Sequence, residues 1–286
     1  MKILITGGKG MLERGLLAGL GAEGASVSVV SSPAEVTDGD ALAGVVLAAS
    51  PDVVIHCAAM TGVDACESDR DAAFRMNEEG SRNVAVACRA AGARLIAVST
   101  DCVFSGDPPR EPWAWSETDM PRPRTVFGAS MFAGEQMIGM IDPDAVVLRT
   151  GWLYGAGGPS FVHRLVRLGA EDGAPIEVEE DRRGNPTSCK VVAEAIRFLL
   201  GRPDVGGVVH ATCEDACTRY ELAAEVKRLL GPRFRRELVP CAGEGLSRPV
   251  PRPRNSALRK SVLNLLGYRT PNWRVALRDF VSAEFR

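Results

Sequence analysis

The sequence predicts an α/β fold, in which a doubly wound parallel sheet is followed by a smaller C-terminal lobe. Short apolar runs alternate with longer segments of helical periodicity, a pattern typical of βαβ units. The runs that resemble buried strands are residues 3–6, 27–30, 53–56, 95–99 and 146–149. Because crossovers between parallel strands are right-handed in nearly all proteins, the intervening helices should cover both faces of the sheet.

The helical segments and the loops indicate two parts of the chain. Helical periodicity is clearest in residues 71–91, 127–140, 190–200, 220–230 and 273–285. Segments predicted to be loops, or to contain few long elements, are residues 155–159, 181–186 and 205–259, the last of which is rich in proline and arginine. We therefore expect an α/β domain over residues 1–150. Residues 151–286 should form a smaller lobe whose segments partly return to the sheet.

Composition excludes several classes of function. The 286 residues carry a formal net charge of −2, with no basic stripe for a nucleic-acid partner. No apolar run is long enough to span a bilayer. We do not expect a signal peptide, because the first residues resemble a core strand that runs directly into a glycine loop. We therefore expect a cytoplasmic protein without a membrane partner. The eight cysteines form no Cys-x-x-Cys pair and the three histidines are scattered, so we expect reduced thiols and no metal site.

The first predicted strand runs into a glycine loop, TGGKGMLE over residues 6–13. A strand, a glycine turn and a helix predict a phosphate site, because glycines let backbone N–H groups approach a diphosphate at a helix N-terminus. The third glycine of the Rossmann-type fingerprint would stand at position 13, which is Glu13. Either this carboxylate lies near the phosphate site and weakens cofactor binding, or the helix shifts and Glu13 points to solvent.

Five further segments occur in an order that resembles one enzyme family. They are HCAAMTGVD at 56–64, STDCVFSG at 99–106, TGWLYG at 150–155, DRRGNPT at 181–187 and RPRNSAL at 252–258. Together they cover almost the whole chain and resemble the dTDP-4-dehydrorhamnose reductase family of extended short-chain dehydrogenases. The resemblance implies a Rossmann-type domain, a C-terminal substrate lobe, and reduction of the 4-keto group of a dTDP-sugar by NAD(P)H.

The resemblance also implies which residues bind the ligands. On the cofactor side they are Gly7, Gly10, Met11, Leu12, Ser31, Ala58, Ala59 and Thr61. On the side of the small-molecule substrate, a nucleotide sugar, they are Val63, Thr100, Trp152, Asn255 and Ser256. The second strand ends without the acidic residue that favours NAD or the arginine that favours NADP, so both cofactors remain open. The run Pro251–Arg254 indicates either a solvated loop or a pocket for an anionic phosphate.

The catalytic positions depart from the family pattern. In the family a tyrosine and a lysine stand four residues apart on one helix face, where the lysine lowers the pKa of the proton-donating tyrosine. Here the matching positions are Phe127 and Met131, which carry neither a proton to donate nor a charge. Cys102 replaces a further tyrosine on the substrate side. Because positioned acid–base catalysis contributes about 10²–10⁴ in rate, we expect conventional reduction to be lost. Because Glu13 stands in the glycine loop and Met131 replaces the lysine, we expect NADP or NAD to bind weakly or not at all.

Three interpretations of these departures remain. The first is a reductase with a substitute proton donor, such as Cys102, Ser130, Thr100 or a water molecule. The second is non-redox chemistry, an elimination, cyclisation or epimerisation in a sugar or secondary-metabolite pathway, with Thr100, Asp101 and Cys102 as candidate catalytic residues. The third is a non-catalytic subunit that binds a partner enzyme or a nucleotide. Independently of these interpretations, a homodimer remains open. The sequence favours loss of the conventional chemistry and does not separate the second interpretation from the third.

Overall fold

A central parallel sheet organises the protein. The computed structural model describes residues 1–7, 10–21, 26–30, 36–106, 113–243, 250 and 252–285. The strands of the sheet are β1 (Lys2–Thr6), β2 (Ser26–Val30), β3 (Val53–His56), β4 (Arg94–Thr100), β5 (Val146–Thr150) and β10 (Gly207–His210). They pair in the order β10-β5-β4-β3-β1-β2, all in parallel. The predicted α/β class is confirmed, since all five predicted strands lie in this sheet.

Helices cover both faces of the sheet. They are α1 (Met11–Gly21), α2 (Gly39–Ala49), α3 (Val63–Ser68), α4 (Arg70–Phe74), α5 (Gly80–Ala91), α6 (Val126–Ile141), α7 (Phe161–Ala170), α8 (Cys189–Leu200), α9 (Arg219–Leu230), α10 (Ser261–Leu265) and α11 (Trp273–Glu284). Successive side chains of β1 point to opposite faces, so Ile3 and Ile5 pack with α1 and α8, whereas Leu4 packs with α2 and α5. None of the helices in these ranges has the length and apolar character needed to cross a membrane.

The later part of the chain adds short strand pairs around a separate apolar core. These strands are β6 (Leu153–Tyr154), β7 (Ile176–Glu179), β8 (Arg183–Gly184), β9 (Thr187–Ser188), β11 (Cys217–Thr218) and β12 (Leu238–Cys241). β6 pairs with β9, β7 with β12 and β8 with β11. Their core contains the buried side chains of Tyr154, Leu222, Trp273 and Leu277. The prediction of a loop over residues 181–186 was wrong at Arg183–Gly184, because pairing with β11 draws these two residues into a strand.

The predicted helix over residues 71–91 is continuous but not uniform. Between α4 and α5 the segment Arg75–Glu79 forms a π turn, whose hydrogen bonds span one more residue than those of an α-helix. Asn77 lies in the middle of this turn and its side chain is buried. Such wide turns often occur at functional sites, and this one faces the loop that follows β3.

Candidate active site

A cleft of about 700 Å³ opens at the carboxyl ends of β1, β3, β4 and β5. Ligands of open parallel sheets bind at this edge, where the loops after the strands converge. The predicted cofactor-side residues that line the cleft are Gly7, Gly10, Met11, Leu12, Ala58, Ala59 and Thr61. The predicted substrate-side and catalytic residues that line it are Val63, Thr100, Asp101, Cys102, Phe127, Met131, Trp152 and Ser256. Ser31 lies outside the described residues.

Asn255 is placed differently from the other predicted substrate residues. It does not line the cleft, and its side chain stabilises the local backbone instead. The amide nitrogen donates to the carbonyl of Trp113 at 3.0 Å, and the amide oxygen accepts from the N–H of Ala257 at 3.0 Å. Asn255 therefore stabilises the backbone beside Ser256, and its own side chain does not line the cleft.

The carboxylate of Glu13 lies inside the glycine loop. Glu13 is only 5% exposed, so the interpretation in which it points to solvent is wrong. A methyl group added at Gly7 or at Gly10 would overlap the Glu13 carboxylate, which shows that the side chain folds back between the two glycines. Burial raises the pKa of Glu13, and hydrogen bonds from the backbone of Glu13 and Gly10 and the charge of Arg14 oppose this rise.

This arrangement bears on whether a dinucleotide fits. In a Rossmann-type site the diphosphate approaches the backbone of the glycine loop at the N-terminus of the first helix. Here α1 begins at Met11, and the space beside Gly7 and Gly10 is filled by the Glu13 side chain. The described residues as they stand therefore do not accommodate a diphosphate at this position, although the helix N-terminus that would bind one is present.

The loop after β3 is held by Asn77 in the π turn. The side chain of Asn77 accepts from the N–H of Met60 at 2.7 Å and donates to the carbonyl of Met60 at 3.1 Å. It also donates to the hydroxyl of Ser130 on α6 at 2.9 Å. Ser130 in turn donates to the carbonyl of Phe127 and is fully buried, outside the lining of the cleft. Ser130 is therefore a structural link between two walls of the cleft and not an accessible proton donor.

Asp101 is a buried carboxyl group in the wall of the cleft. It lies in a short 3₁₀ turn at the end of β4, where the hydroxyl of Thr100 accepts from the N–H of Cys102 at 3.1 Å. The hydroxyl of Ser256 donates to one oxygen of Asp101, and that of Thr100 donates to the other at 3.3 Å. Burial raises the pKa of Asp101, while these hydrogen bonds and the charge of Arg219 limit the rise.

Cys102 is unsuited to act as a proton donor or a nucleophile. Burial raises the pKa of its thiol strongly, and the neighbouring charge of Asp101 raises it further. Its sulfur atom lies 3.7 Å from a carboxylate oxygen of Asp101, to which the thiol can donate. Because only a thiolate is strongly nucleophilic, the neutral thiol of Cys102 is unreactive in this environment.

Phe127 and Met131 form an apolar wall where the family places its acid–base pair. They stand one turn apart on α6 and are 6% and 9% exposed, and both line the cleft together with Ser99. They belong to a continuous apolar cluster, whose other buried members are Cys66, Ala73, Val103, Phe104, Trp115, Val126 and Leu258. Neither tyrosine nor lysine occurs among the described residues that line the cleft.

A buried ion pair that sequence reasoning missed lies behind this wall. Arg149 on β5 binds Glu135 on α6 with two hydrogen bonds, from Nε at 2.9 Å and from Nη2 at 2.6 Å. The hydroxyl of Ser99 donates to the same carboxylate at 2.5 Å. One signal was available, since Glu135 continues the row of positions 127 and 131 at intervals of four residues, which places a carboxylate on the inner face of the helix.

Arginines line the C-terminal side of the cleft. The guanidinium group of Arg219 stacks on the ring of Trp152, 3.6 Å from its centroid. Arg182 pairs with Glu179 at 2.7 Å, and Arg252 pairs with Asp64 at 2.8 Å. All three arginines line the cleft, whereas Arg254 does not, so the run that contains Arg252 and Arg254 contributes Arg252 and Pro253 to the pocket. Sequence reasoning did not identify Arg182 or Arg219 as pocket residues.

Comparisons with known proteins found relatives that match almost the whole chain. The family model described as RmlD substrate binding domain matches residues 1–285. The chain is 39% identical to a dTDP-4-dehydrorhamnose reductase of Streptomyces griseus, over 98% of this chain and 93% of the relative. It is 38% identical to a probable dTDP-4,6-dihydroxy-2-methyloxan-3-one 4-ketoreductase of Streptomyces antibioticus, over 99% and 97%. A crystal structure of the dTDP-4-dehydrorhamnose reductase of Bacillus anthracis in complex with NADP superposes with a TM-score of 0.93, at 32% identity and 99% coverage of both chains.

Proposed function

Because this chain belongs to the dTDP-4-dehydrorhamnose reductase family, we propose that it binds a dTDP-linked sugar in its cleft without performing the family's tyrosine- and lysine-dependent reduction. Its role lies in the biosynthesis of a deoxysugar or of a metabolite that carries one. The relatives include reductases of dTDP-sugars from Streptomyces, which supports this class of substrate. The structural relatives bound to NADP or NAD support a nicotinamide cofactor as the ancestral ligand of the glycine loop.

The apolar pair Phe127 and Met131 is the observation that carries this proposal. Reduction of a ketone produces an alkoxide, which must receive a proton from a positioned acid. Phenylalanine and methionine offer no acidic hydrogen and no charge, and both side chains are packed into a hydrophobic cluster. The wall therefore supports binding and exclusion of water but not protonation of an alkoxide.

The arginines support a phosphorylated ligand on the opposite side of the cleft. Guanidinium groups bind phosphate oxygens through paired, charge-assisted hydrogen bonds. Arg252 is held in the cleft by Asp64, whose side chain is 48% exposed, so a diphosphate could take over part of this interaction without leaving a fully buried charge behind. The stacked side chains of Arg219 and Trp152 add a flat surface to the same cleft.

We expect calorimetric titration to detect dTDP-rhamnose binding, with a Kd of roughly 1 µM–1 mM as for typical enzyme substrates. Arg252→Met should weaken this binding about tenfold or more, because a charged hydrogen bond is lost. Arg254→Met is the matched control, since that side chain is exposed and does not line the cleft. In the same preparation, NADPH with dTDP-4-dehydrorhamnose should show no turnover above background. Turnover at ordinary enzyme rates by the unaltered chain would overturn the proposal.

Asp101 favours a second candidate function, acid–base chemistry without hydride transfer. A buried carboxyl group with a raised pKa is a stronger base than an ordinary aspartate and can remove and return a proton. Asp101 lines the cleft, and each of its two oxygens accepts a hydrogen bond from a hydroxyl group. A hydrogen on the carbon next to a 4-keto group is acidic, since its removal leaves an enolate. Epimerisation and elimination both begin with that step.

Under this second function the protein should exchange such a hydrogen of dTDP-4-dehydrorhamnose for deuterium in D₂O, as followed by NMR. Asp101→Asn should slow the exchange by about 10²-fold or more, because the amide neither takes up nor releases the proton. Asp71→Asn, an exposed change on α4, should leave the exchange rate unaltered. Equal exchange with and without the protein would exclude this chemistry and leave a binding role for the cleft.

A further inference from the structure

We propose that the Glu13 carboxylate is an internal anion that occupies the diphosphate position of the glycine loop, so that a dinucleotide binds only when this side chain is displaced or replaced. The inference rests on the proposed function, since it assigns a specific cause to the loss of conventional cofactor use. It makes Glu13 an autoinhibitory group of the nucleotide site, separate from the changes at Phe127 and Met131.

The position of the carboxylate is the first argument. Its two oxygens lie against the two glycines that shape the turn, one beside Gly7 and the other beside Gly10. Gly7 has a φ of 113°, a conformation that favours glycine. The missing side chains at Gly7 and Gly10 leave a recess, and Glu13 fills that recess from the first turn of α1.

The surroundings of the carboxylate are the second argument. One of its oxygens, Oε2, is buried and has no hydrogen-bond partner among the described residues. The neighbouring Cys189 is buried and Cys57 is half-buried, and desolvation raises the pKa of both thiols, so they stay neutral and cannot compensate a negative charge. The favourable interactions of Glu13 are instead with the backbone of Gly10 and of its own residue, with the charge of Arg14 and with the positive end of α1. The backbone groups and the helix end are those that a bound phosphate would use.

Charge and volume both oppose a second anion at this place. A diphosphate and a carboxylate cannot fill the same recess, and like charges a few ångströms apart repel strongly in a partly buried site. Glutamine at position 13 would keep the volume and remove the charge, whereas glycine would remove both. The two substitutions therefore separate the two contributions.

The test is calorimetric titration of the unaltered chain, Glu13→Gln and Glu13→Gly with NADPH and with NADH. We expect Glu13→Gly to bind at least one of them about tenfold or more tightly than the unaltered chain, with Glu13→Gln between the two. Ala18→Gly is the matched control, because it places a glycine on an exposed position of the same helix. It should bind as the unaltered chain does.

Equal dinucleotide affinity in the unaltered chain and in both folded Glu13 variants, whether strong or undetectable, would overturn this inference. Circular dichroism checks that each variant is folded, and Glu13→Gln decides the outcome should Glu13→Gly unfold. Titration of the same samples with dTDP-rhamnose distinguishes this result from failure of the proposed function. Absence of dTDP-rhamnose binding in every sample would refute the proposed function. A higher affinity of the Glu13 variants for the dinucleotide would still support the role of Glu13.

Discussion

Phe127→Tyr together with Met131→Lys, in a chain that also carries Glu13→Gly, should raise NADPH-dependent reduction of dTDP-4-dehydrorhamnose by about 10²–10⁴-fold over Glu13→Gly alone. The two positions are one turn apart on α6 and both line the cleft, so a phenol and an ammonium group introduced there would be neighbours. The ammonium charge would lower the pKa of the phenol, which could then protonate the alkoxide. The fall in NADPH absorbance measures the rate.

Single substitutions should achieve much less, because the two groups act as a unit and such effects are not additive. Phe132→Tyr with Met140→Lys is a matched control, since these side chains lie on α6 but do not line the cleft. A triple variant that binds NADPH and the sugar yet remains inert would contradict the expectation. It would mean that other parts of the cleft no longer orient a ketone for reduction, and the exchange experiment with Asp101→Asn would then become the more informative one.

Arg149→Met should lower the free energy of unfolding by about 3–5 kcal/mol, because it leaves the buried carboxylate of Glu135 without its partner. The pair has side chains that are 3% and 6% exposed, so water cannot replace the lost guanidinium group easily. Urea unfolding followed by circular dichroism gives the change. Loss of the ion pair should also weaken the hydrogen bond that the Ser99 hydroxyl donates to the same carboxylate beside the cleft.

Removing both charges tests the explanation. Arg149→Met combined with Glu135→Leu should restore much of the lost stability, since an apolar pair of similar volume often replaces a buried ion pair at little cost. Arg228→Met is a control at the exposed end of the pair with Glu225 and should change stability little. A loss of stability in the double variant as large as in Arg149→Met would show that Arg149 acts mainly through packing, for example against the ring of Phe104.

The sheet was predictable because its central strands are apolar runs that end in chemically distinctive loops. The exception is β10, a four-residue strand that pairs with β5 from far along the chain. A short strand after a glycine pair carries too little periodicity to be separated from a loop. The two-residue strand β8 escaped prediction for a related reason, since its pairing with β11 is a tertiary contact.

The site was predictable where a motif fixed the position of a backbone, and less so where side-chain direction decided the outcome. Glu13 could be recognised as a substitution for glycine, but whether its carboxylate faced the loop or solvent depended on the packing of α1 against the sheet. Asn255 belongs to a segment of the pocket, yet its own amide turns to the backbone of Trp113 and Ala257. Arg182 and Arg219 come from separate segments, so their convergence required the folded structure.

The wide turn at Arg75–Glu79 also fixes where the Asn77 side chain projects from the segment between α4 and α5. A chain one residue shorter there could form an uninterrupted α-helix without this widened turn. Asn77 could then no longer reach both Met60 and Ser130, and the loop and α6 would lose their shared anchor. The length of the segment between β3 and α5, together with the amide of Asn77, therefore keeps the two walls of this cleft in register.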